Sequence, residues 1–392
     1  MRLAILAASV AVLAGAAGAG GMLQVRGPGV LASNLTSGPG VGLYRIAPGG
    51  GLHPIVGLDL IPRAAAPTGA VAGFRAGDRD GTQGLILARG KSRDELPQSS
   101  SGVGCVAFSA DGSLIAYVSG EPTLTHASSG IQYFRIEGTL WLADVAHPEQ
   151  ARAIETGAFA TSECPLPSPS GRKFAYFVQK TPDAWQLHVY RDGGVSTVAD
   201  EPAPVPSNHD RSFAWSPNGG TLAFIRGDDL FTRHGRVSQG LTKLLEPRPD
   251  IRVRYARALD FSSDGRLLAV SFGDRTGIFR LKGGLVRVVF GHLREWSGSR
   301  GVLTEGVDTH FVPTLFRSPL RGPRRSIARH FKLPVVSDPA GAWFAYPKPE
   351  RRQLVFRRAD GSLLRTIQLN FMPAPLAATD RSGRLSLPAG SY

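Results

Sequence analysis

Short apolar runs alternate with small polar turns along most of this chain, and one arrangement returns at intervals. In its clearest copy, Phe108 is followed by the turn Ser109-Ala110-Asp111-Gly112 and by a second apolar run, Leu114-Ile115-Ala116-Tyr117. Two apolar runs joined by a tight Asp-Gly turn are typical of a β-hairpin. Three clear and three weaker further copies have these turn glycines: Gly171, Gly219 and Gly265, then Gly301, Gly341 and Gly383.

A second pair of apolar runs follows most of these hairpins, so each repeat predicts four strands. Turns such as Asp192-Gly193-Gly194 and Asp360-Gly361 separate the third strand from the fourth. Four-stranded units spaced by about 36 to 59 residues are typical of the blades of a β-propeller.

The number of hairpins predicts an all-β fold, a seven-bladed β-propeller of four-stranded antiparallel blades. The first strand pair, residues 43–56, has no preceding hairpin, and the last hairpin, residues 376–387, has no following pair. We expect these N-terminal outer strands to pair with the C-terminal inner strands, which closes the ring without a partial blade. Eight blades is the alternative, because residues 57–102 contain another hairpin-like turn; lacking a clear second pair, they are predicted to be a long insertion.

A small residue occurs at a fixed place in the repeat. Alanine stands four residues after the turn glycine in five copies, which are Ala116, Ala175, Ala223, Ala269 and Ala345. Crowded packing between inner sheets requires such a small side chain.

The hairpins at Gly112, Gly219 and Gly265 resemble those of TolB-like propellers, a WD40-like group with PD40-type repeats that is also found in prolyl-oligopeptidase relatives. The resemblance covers nearly all of residues 41–392. It implies a propeller fold and the binding of proteins or peptides. TolB carries an additional α/β domain and the peptidases an α/β-hydrolase domain, and this chain has room for neither.

The N-terminal residues predict export. Residues 1–19 have a basic start, an apolar middle and small residues at the end, as in a signal peptide. The uncharged run Leu3–Leu23 is also long enough for a membrane anchor. Either segment places the protein in the periplasm, on the cell surface or in the medium. Residues 20–40, rich in Gly, Pro and Ser, are predicted to be a linker before the propeller of residues 41–392.

The chain is strongly basic, with a formal net charge of +14 and a pI of about 10.3. Such a charge favours an acidic protein partner or an anionic envelope polymer. Nucleic acid is not expected, because the charge is spread through all blades and no nucleic-acid motif accompanies it. The densest basic run, Arg317–Lys332, is predicted to be a solvated outer strand whose charges discourage pairing with another chain.

Antiparallel blades separate their connections onto two faces. The turns between first and second and between third and fourth strands lie on one, the turn face; the other connections lie on the opposite, loop face. Long irregular stretches, residues 57–102, 120–138, 201–210 and 246–255, belong to the loop face, which is therefore the predicted binding surface. The candidate binding residues on it are His126, Tyr133, Phe134, Arg135, His209 and Asp210.

The two cysteines, Cys105 and Cys164, each precede a turn glycine by seven residues. In an exported protein such a pair indicates a disulfide. Equivalent positions on neighbouring inner strands can also lie beyond the reach of a disulfide, so two small buried thiols are the alternative.

Catalytic motifs are absent from the sequence: it contains no G-x-S-x-G, H-E-x-x-H or C-x-x-C. No catalytic residue, metal or cofactor is therefore predicted. The sequence favours an exported, non-catalytic scaffold that binds a protein, peptide or cell-envelope polymer through its loop face. The alternatives are an enzyme of the lactonase or hydrolase kind at the channel mouth, or a carbohydrate-binding protein.

Overall fold

The computed structural model describes residues 28–34, 43–56, 60–75, 84–100, 102–126, 132–160, 165–181, 184–202, 212–245, 257–379 and 385–386. Nearly every element in these ranges is a strand; the others are helix α1 (Leu241–Leu245) and two 3₁₀ turns, Pro148–Gln150 and Pro349–Arg351. Among these residues, no helix combines the length and the apolar character needed to cross a membrane. The predicted signal peptide or anchor, residues 1–19, lies outside the described ranges.

The described strands form eight antiparallel units of four or more strands, here called blades 1 to 8 in chain order. Blade 1 begins with β1 (Gly29–Asn34), β2 (Leu43–Ile46) and β3 (Leu52–Val56). Blade 2 contains β4 (Leu60–Ala65), β5 (Val71–Arg75), β6 (Ile86–Arg89) and β7 (Ser92–Glu95). Blade 3 contains β8 (Val103–Phe108), β9 (Leu114–His126), β10 (Gln132–Asp144) and β11 (Arg152–Ala160). Blade 4 contains β12 (Leu166–Pro167), β13 (Lys173–Thr181), β14 (Ala184–Arg191) and β15 (Gly194–Pro202).

The second half of the chain repeats the same plan. Blade 5 contains β16 (Phe213–Trp215), β17 (Leu222–Arg226), β18 (Asp229–Thr232) and β19 (Gly235–Ser238), and blade 6 contains β20 (Arg257–Phe261), β21 (Leu267–Phe272), β22 (Arg275–Arg280) and β23 (Leu285–Phe290). Blade 7 contains β24 (His292–Trp296), β25 (Gly301–Val307), β26 (Pro313–Pro319) and β27 (Arg325–Arg329). Blade 8 contains β28 (Val336–Ser337), β29 (Trp343–Lys348), β30 (Gln353–Arg358) and β31 (Leu363–Gln368). The last strands, β32 (Pro373–Thr379) and β33 (Leu385–Ser386), return to blade 1.

The chain ends meet in one sheet, whose strand order is β3-β2-β1-β32-β33. The expected closure between N-terminal outer and C-terminal inner strands is therefore present, but its division differs from the prediction. Three strands come from the N-terminal side, and the additional one, β1, lies within residues 20–40, which were predicted to be a linker. Val30, Leu31 and Ala32 of β1 are fully buried, because β1 lies between β2 and β32.

The seven-blade prediction is corrected by residues 57–102. This segment is not a long insertion, because β4 to β7 form a complete four-stranded sheet within it. Its hairpin turn is Ala66-Pro67-Thr68-Gly69, which contains no Asp or Asn. The aliphatic residues Val71, Leu85, Ile86 and Leu87 of this blade are buried.

The eight blades are arranged in a ring. The innermost strand of one blade contacts that of the next, as in β4 with β8, β16 with β20, β20 with β24 and β28 with β32. Blades 3 and 4 are additionally joined through their strands, because β11 pairs with β13 at Ala158–Gln179 and Phe159–Val178. Hydrophobic clusters pack between adjacent sheets, so each interface of the ring has its own core.

Glycine is required where hairpin turns of adjacent blades meet. At Gly219 the backbone has a φ of 64°, and a Cβ there would lie 2.7 Å from the backbone nitrogen of Ser170 in the preceding blade. At Gly341, where φ is 73°, a Cβ would lie 2.8 Å from the Cα of Gly298. The turns therefore form a continuous inner rim on the turn face. Blade 7 departs from the predicted register, because its positive-φ turn residue is Gly298, whereas Gly301 already begins β25.

The predicted small-residue position is confirmed. Each of the five alanines is at most 1% exposed. In blade 2 the equivalent residue is Gly73, where a Cβ would collide with the backbone oxygen of Ile61. The packing there tolerates even less side chain than in the other blades.

Candidate functional site

A cavity of about 210 Å³ lies at the centre of the ring and is lined by all eight innermost strands. Its walls come from the last residues of these strands and the first residues of the hairpin turns, as in Phe108–Ala110 and Pro167–Pro169. The cavity therefore lies at the turn face. The sequence predicted the binding surface on the opposite, loop face.

Two tryptophans give the cavity a fixed aromatic wall. The indole of Trp215 donates a hydrogen bond to the carbonyl oxygen of Leu166 at 3.1 Å, and the indole of Trp296 donates to the carbonyl oxygen of Asp260 at 3.1 Å. Each bond reaches the innermost strand of the preceding blade. Because the polar edge of each indole is held by a neighbour, the rings cannot swing into the cavity without losing a hydrogen bond.

Three carboxylates line one side of the cavity: Asp260 of blade 6, Glu295 of blade 7 and Asp338 of blade 8. We call these three residues the acidic wall. Glu295 is 3% and Asp338 is 6% exposed. Charges held at low exposure interact more strongly than charges on an open surface.

The backbone positions two members of the acidic wall. Oδ1 of Asp260 accepts a hydrogen bond from the amide of Phe261 at 2.8 Å. Asp338 occupies the place of the turn serine of other blades, and its Oδ2 accepts from the amide of Ala342 at 3.0 Å. These bonds restrain the carboxylates beside the cavity, so their side chains lose little conformational entropy when a ligand binds.

The remaining charged residue of the lining, Arg63, belongs to blade 2. In a ring of eight, blade 2 lies opposite blade 6, so Arg63 and the acidic wall line opposite sides of the cavity. Cζ of Arg63 lies 5.4 Å from the centre of the Phe74 ring. Burial lowers the pKa of Arg63 from its ordinary value. The cavity is therefore polarised, with negative charge on blades 6 to 8 and positive charge on blade 2.

The acidic wall was not predicted from the sequence, although the repeat contains a signal for it. Two residues before the turn serine, most innermost strands carry an apolar residue, such as Ala107, Leu166 or Ala214. Blades 6 and 7 carry Asp260 and Glu295 there. A carboxylate that interrupts an apolar position in two consecutive repeats indicates a function for that position.

The predicted loop-face residues lie on a projecting hairpin or outside the described ranges. Residues 120–138 do not form an irregular loop, because β9 and β10 continue as paired strands up to His126 and Gln132. His126 is exposed there. Tyr133 and Phe134 belong to β10, but their side chains lie outside the described part of the chain, as do His209 and Asp210 entirely.

Arg135 has a role in holding this hairpin to blade 4. Its Nη1 donates to Oε1 of Gln179 at 2.6 Å, and its Nη2 bonds Glu137 on the same strand. The guanidinium is thus already engaged by protein groups. Of the predicted binding residues whose side chains the structure describes, Arg135 lies opposite Thr123 in the strand register and His126 lies opposite Gln132.

Cys105 is 3% exposed and disulfide-bonded. Cys164, the second cysteine of the sequence, lies outside the described residues, so the pairing Cys105–Cys164 stays a prediction. Within the described residues, no group of three or more His, Cys, Asp or Glu side chains has a geometry that could hold a metal ion.

Comparisons with known proteins return propellers of low similarity. No family model matches the sequence, and no curated protein does so either. Among solved structures, Sqt1 of Chaetomium thermophilum bound to the N-terminus of ribosomal protein L10 is 15% identical with a TM-score of 0.49, covering 84% of this chain and 93% of that one. TolB of Acinetobacter baumannii is 11% identical with a TM-score of 0.34, covering 78% of this chain and 59% of that one. At these values the β-propeller assignment rests on the strand pairing itself.

Proposed function

We propose that this protein is an exported, non-catalytic propeller scaffold that binds a protein or peptide, with a cationic side chain of the partner seated against the acidic wall. The observation that carries the proposal is the placement of Asp260, Glu295 and Asp338 on three consecutive blades around one cavity. Opposite charge at short range in a partly desolvated site gives specificity for an ammonium or guanidinium group.

The size of the cavity supports a side chain as its occupant. A volume of about 210 Å³ is below the range of roughly 300–1,000 Å³ of pockets that enclose small-molecule ligands. A lysine or arginine head with part of its stem fits this space, and the aromatic surfaces of Trp215 and Trp296 suit the apolar stem. The rest of the partner would then lie across the turn face.

Export is supported by two features. The N-terminal residues have the layout of a signal peptide or anchor, and Cys105 is disulfide-bonded, as expected in an oxidising compartment. The location we propose is therefore the periplasm, the cell surface or the medium.

A calorimetric titration of the full chain tests the proposal. The probes are two short peptides that differ only at one central residue, arginine in one and the uncharged analogue citrulline in the other. We expect binding of the arginine peptide, and about tenfold weaker binding to Glu295→Gln and to Asp260→Asn. Asp192→Asn, at the exposed β14–β15 turn, is the matched control and should bind as the wild type does. Equal binding of both peptides, or no effect of the cavity variants, would contradict the proposal.

The alternative is a channel-mouth enzyme, which the same carboxylates favour. A carboxyl pair such as Asp260 and Glu295 is the usual equipment for general acid–base hydrolysis. Assays against lactone, ester and glycoside substrates distinguish the two functions. Turnover that disappears in Glu295→Gln while the arginine peptide fails to bind would establish the enzyme in place of the scaffold.

A further inference from the structure

Blade 1 has one strand more than the other blades require. Its sheet has the order β3-β2-β1-β32-β33, in which β32, β1, β2 and β3 already fill the four places of an ordinary blade. Strand β33, Leu385–Ser386, is therefore an addition at the inner end of the sheet. In the other seven blades, the innermost strand has no further strand on its channel side among the described residues.

Strand β33 lies inside the channel. The outer edge of β32 is occupied by β1, so β33 pairs with the opposite edge, at Ala378–Ser386 and Thr379–Leu385. That edge faces the axis of the ring, because β32 is the innermost strand of its blade and contacts β28, the innermost strand of blade 8. Paired strands are about 4.8 Å apart, so the backbone of β33 stands that far inward from the ring of innermost strands.

The position of β33 along the channel matches that of the cavity. Ala377 of β32 lines the cavity, and the next two residues of β32 are those that pair with β33. Because the pairing is antiparallel, β33 begins opposite Thr379, the last residue of β32, and runs from the turn face towards the loop face. It therefore enters the channel from the face at which the acidic wall lies.

The attachment of β33 is short. Two residue pairs join it to β32, whereas six join β1 to the other edge of β32. When β33 leaves, the backbone groups of both strands exchange their hydrogen bonds for bonds with water, so each pair contributes little net free energy. Segments held by few bonds open locally without unfolding of the domain. Strand β33 can therefore leave the channel while blade 1 keeps its other four strands.

We propose that β33 is an internal competitor at the turn face, and that the partner of the acidic wall binds fully only after β33 has left the channel. This inference rests on the function proposed above, in which a cationic side chain of the partner enters the cavity from the turn face. The side chain and β33 need the same opening. If β33 is in place about nine-tenths of the time, the apparent affinity for the partner is about tenfold below that of the open cavity.

Calorimetric titration with the arginine and citrulline peptides tests the competition. The double variant Leu385→Pro/Ser386→Pro removes the backbone N–H groups of β33 and keeps the length of the chain. We expect it to bind the arginine peptide about tenfold more tightly than the wild type does. The matched control, Gly390→Pro/Ser391→Pro, has two prolines beyond β33 and should bind as the wild type does. Equal affinities of the three proteins for the arginine peptide would show that β33 does not compete.

A second measurement needs no ligand. Trp215 and Trp296 line the cavity, so release of β33 should increase the quenching of their fluorescence by acrylamide. The increase should appear in Leu385→Pro/Ser386→Pro, be absent from the control variant, and disappear when both tryptophans are replaced by phenylalanine. Circular dichroism of each variant verifies that it is folded.

The two measurements separate a failure of this inference from a failure of the proposed function. If the arginine peptide binds none of the proteins but quenching increases in the β33 variant, the function proposed for the acidic wall is wrong and β33 is still a strand that can leave the channel. If quenching is the same in the β33 variant and the wild type, the inference about β33 is wrong, whether or not the peptide binds.

Discussion

Nδ1 of His188 in blade 4 lies 2.8 Å from Oε2 of Glu155 in blade 3. The same carboxylate oxygen accepts a hydrogen bond from the hydroxyl of Tyr176 at 3.0 Å, and the ammonium of Lys180 is 3.8 Å from Oε1. The His188 side chain is 6% exposed and that of Glu155 17%. A buried polar cluster therefore joins the two blades whose sheets are continuous.

Burial opposes ionisation of Glu155, but the hydrogen bond and charge of His188, the Tyr176 hydroxyl and the Lys180 charge outweigh it. Together they lower the pKa of Glu155 below its ordinary value. Burial, followed by the effect of the Glu155 carboxylate, raises the pKa of Tyr176. The cluster is thus held with Glu155 ionised and Tyr176 protonated.

Acid should destabilise the protein through Glu155. Because its pKa is lower in the folded than in the unfolded chain, its stabilisation is full above the unfolded pKa of about 4.3 and is lost as the pH falls through the folded value. Glu155→Gln should cost about 1–3 kcal/mol at neutral pH and flatten the acid decline of the melting temperature. Calorimetric melts between neutral and acid pH measure both effects. Glu149→Gln, at a carboxylate 65% exposed, should retain the wild-type decline.

Turn contacts between blades 4 and 5 can be isolated with two glycines of similar backbone conformation. Gly219 has a φ of 64° and Gly227 a φ of 59°, but nothing lies within 4 Å of a Cβ at Gly227. Gly227→Ala should cost only the backbone strain, about 1–2 kcal/mol. Gly219→Ala should cost a further 1–3 kcal/mol, roughly, because the added methyl collides with the turn of blade 4. Urea unfolding compares the two variants, and equal losses would show that the turns do not pack as described.

Most of the fold could be predicted from the sequence, because the repeats place particular residue types where the turn backbone and the inner packing require them. Asp-Gly and Asn-Gly turns satisfy positive φ, and alanine satisfies the space between inner strands. Blade 2 was not recognised in the sequence, because it meets the same requirements with other residues. Its turn glycine, Gly69, has a φ of 91° without a preceding Asp or Asn, and its small residue is Gly73 instead of alanine.

The strand β1 and the acidic wall could not be predicted from the sequence, for different reasons. The β1 segment is short and of mixed polarity, and only its pairing with β2 and β32 buries it. Tertiary context of this kind overrides local composition. The carboxylates of the acidic wall are far apart along the chain, and only the closed ring places Asp260, Glu295 and Asp338 around one cavity.

The disulfide of Cys105 should join it to Cys164 and stabilise the pair of blades 3 and 4. Replacing both cysteines by alanine should lower the free energy of unfolding by about 2–4 kcal/mol. Unfolding in guanidinium with and without reductant measures the loss, and reductant should have no effect on the double variant. Peptide mapping without reduction checks the pairing. Two free thiols in the native protein, or a disulfide-linked dimer, would contradict it.

Closure of the ring by β32 should be essential for folding. Its partner β1 contains Val30, Leu31 and Ala32, all fully buried, and just before β32 the ring of Phe371 stacks on that of Tyr44 with centroids 4.8 Å apart. Deleting residues 371–392 removes these contacts and exposes an unpaired strand edge. The loss should be comparable with the whole stability of an ordinary domain, about 5–15 kcal/mol.

Deletion of residues 387–392 alone keeps β32 and β33 and should leave the melting temperature nearly unchanged. Size-exclusion chromatography and thermal melts of the two truncations decide the matter. A monomeric, cooperatively melting chain without β32 would show that blade 1 does not depend on the closure.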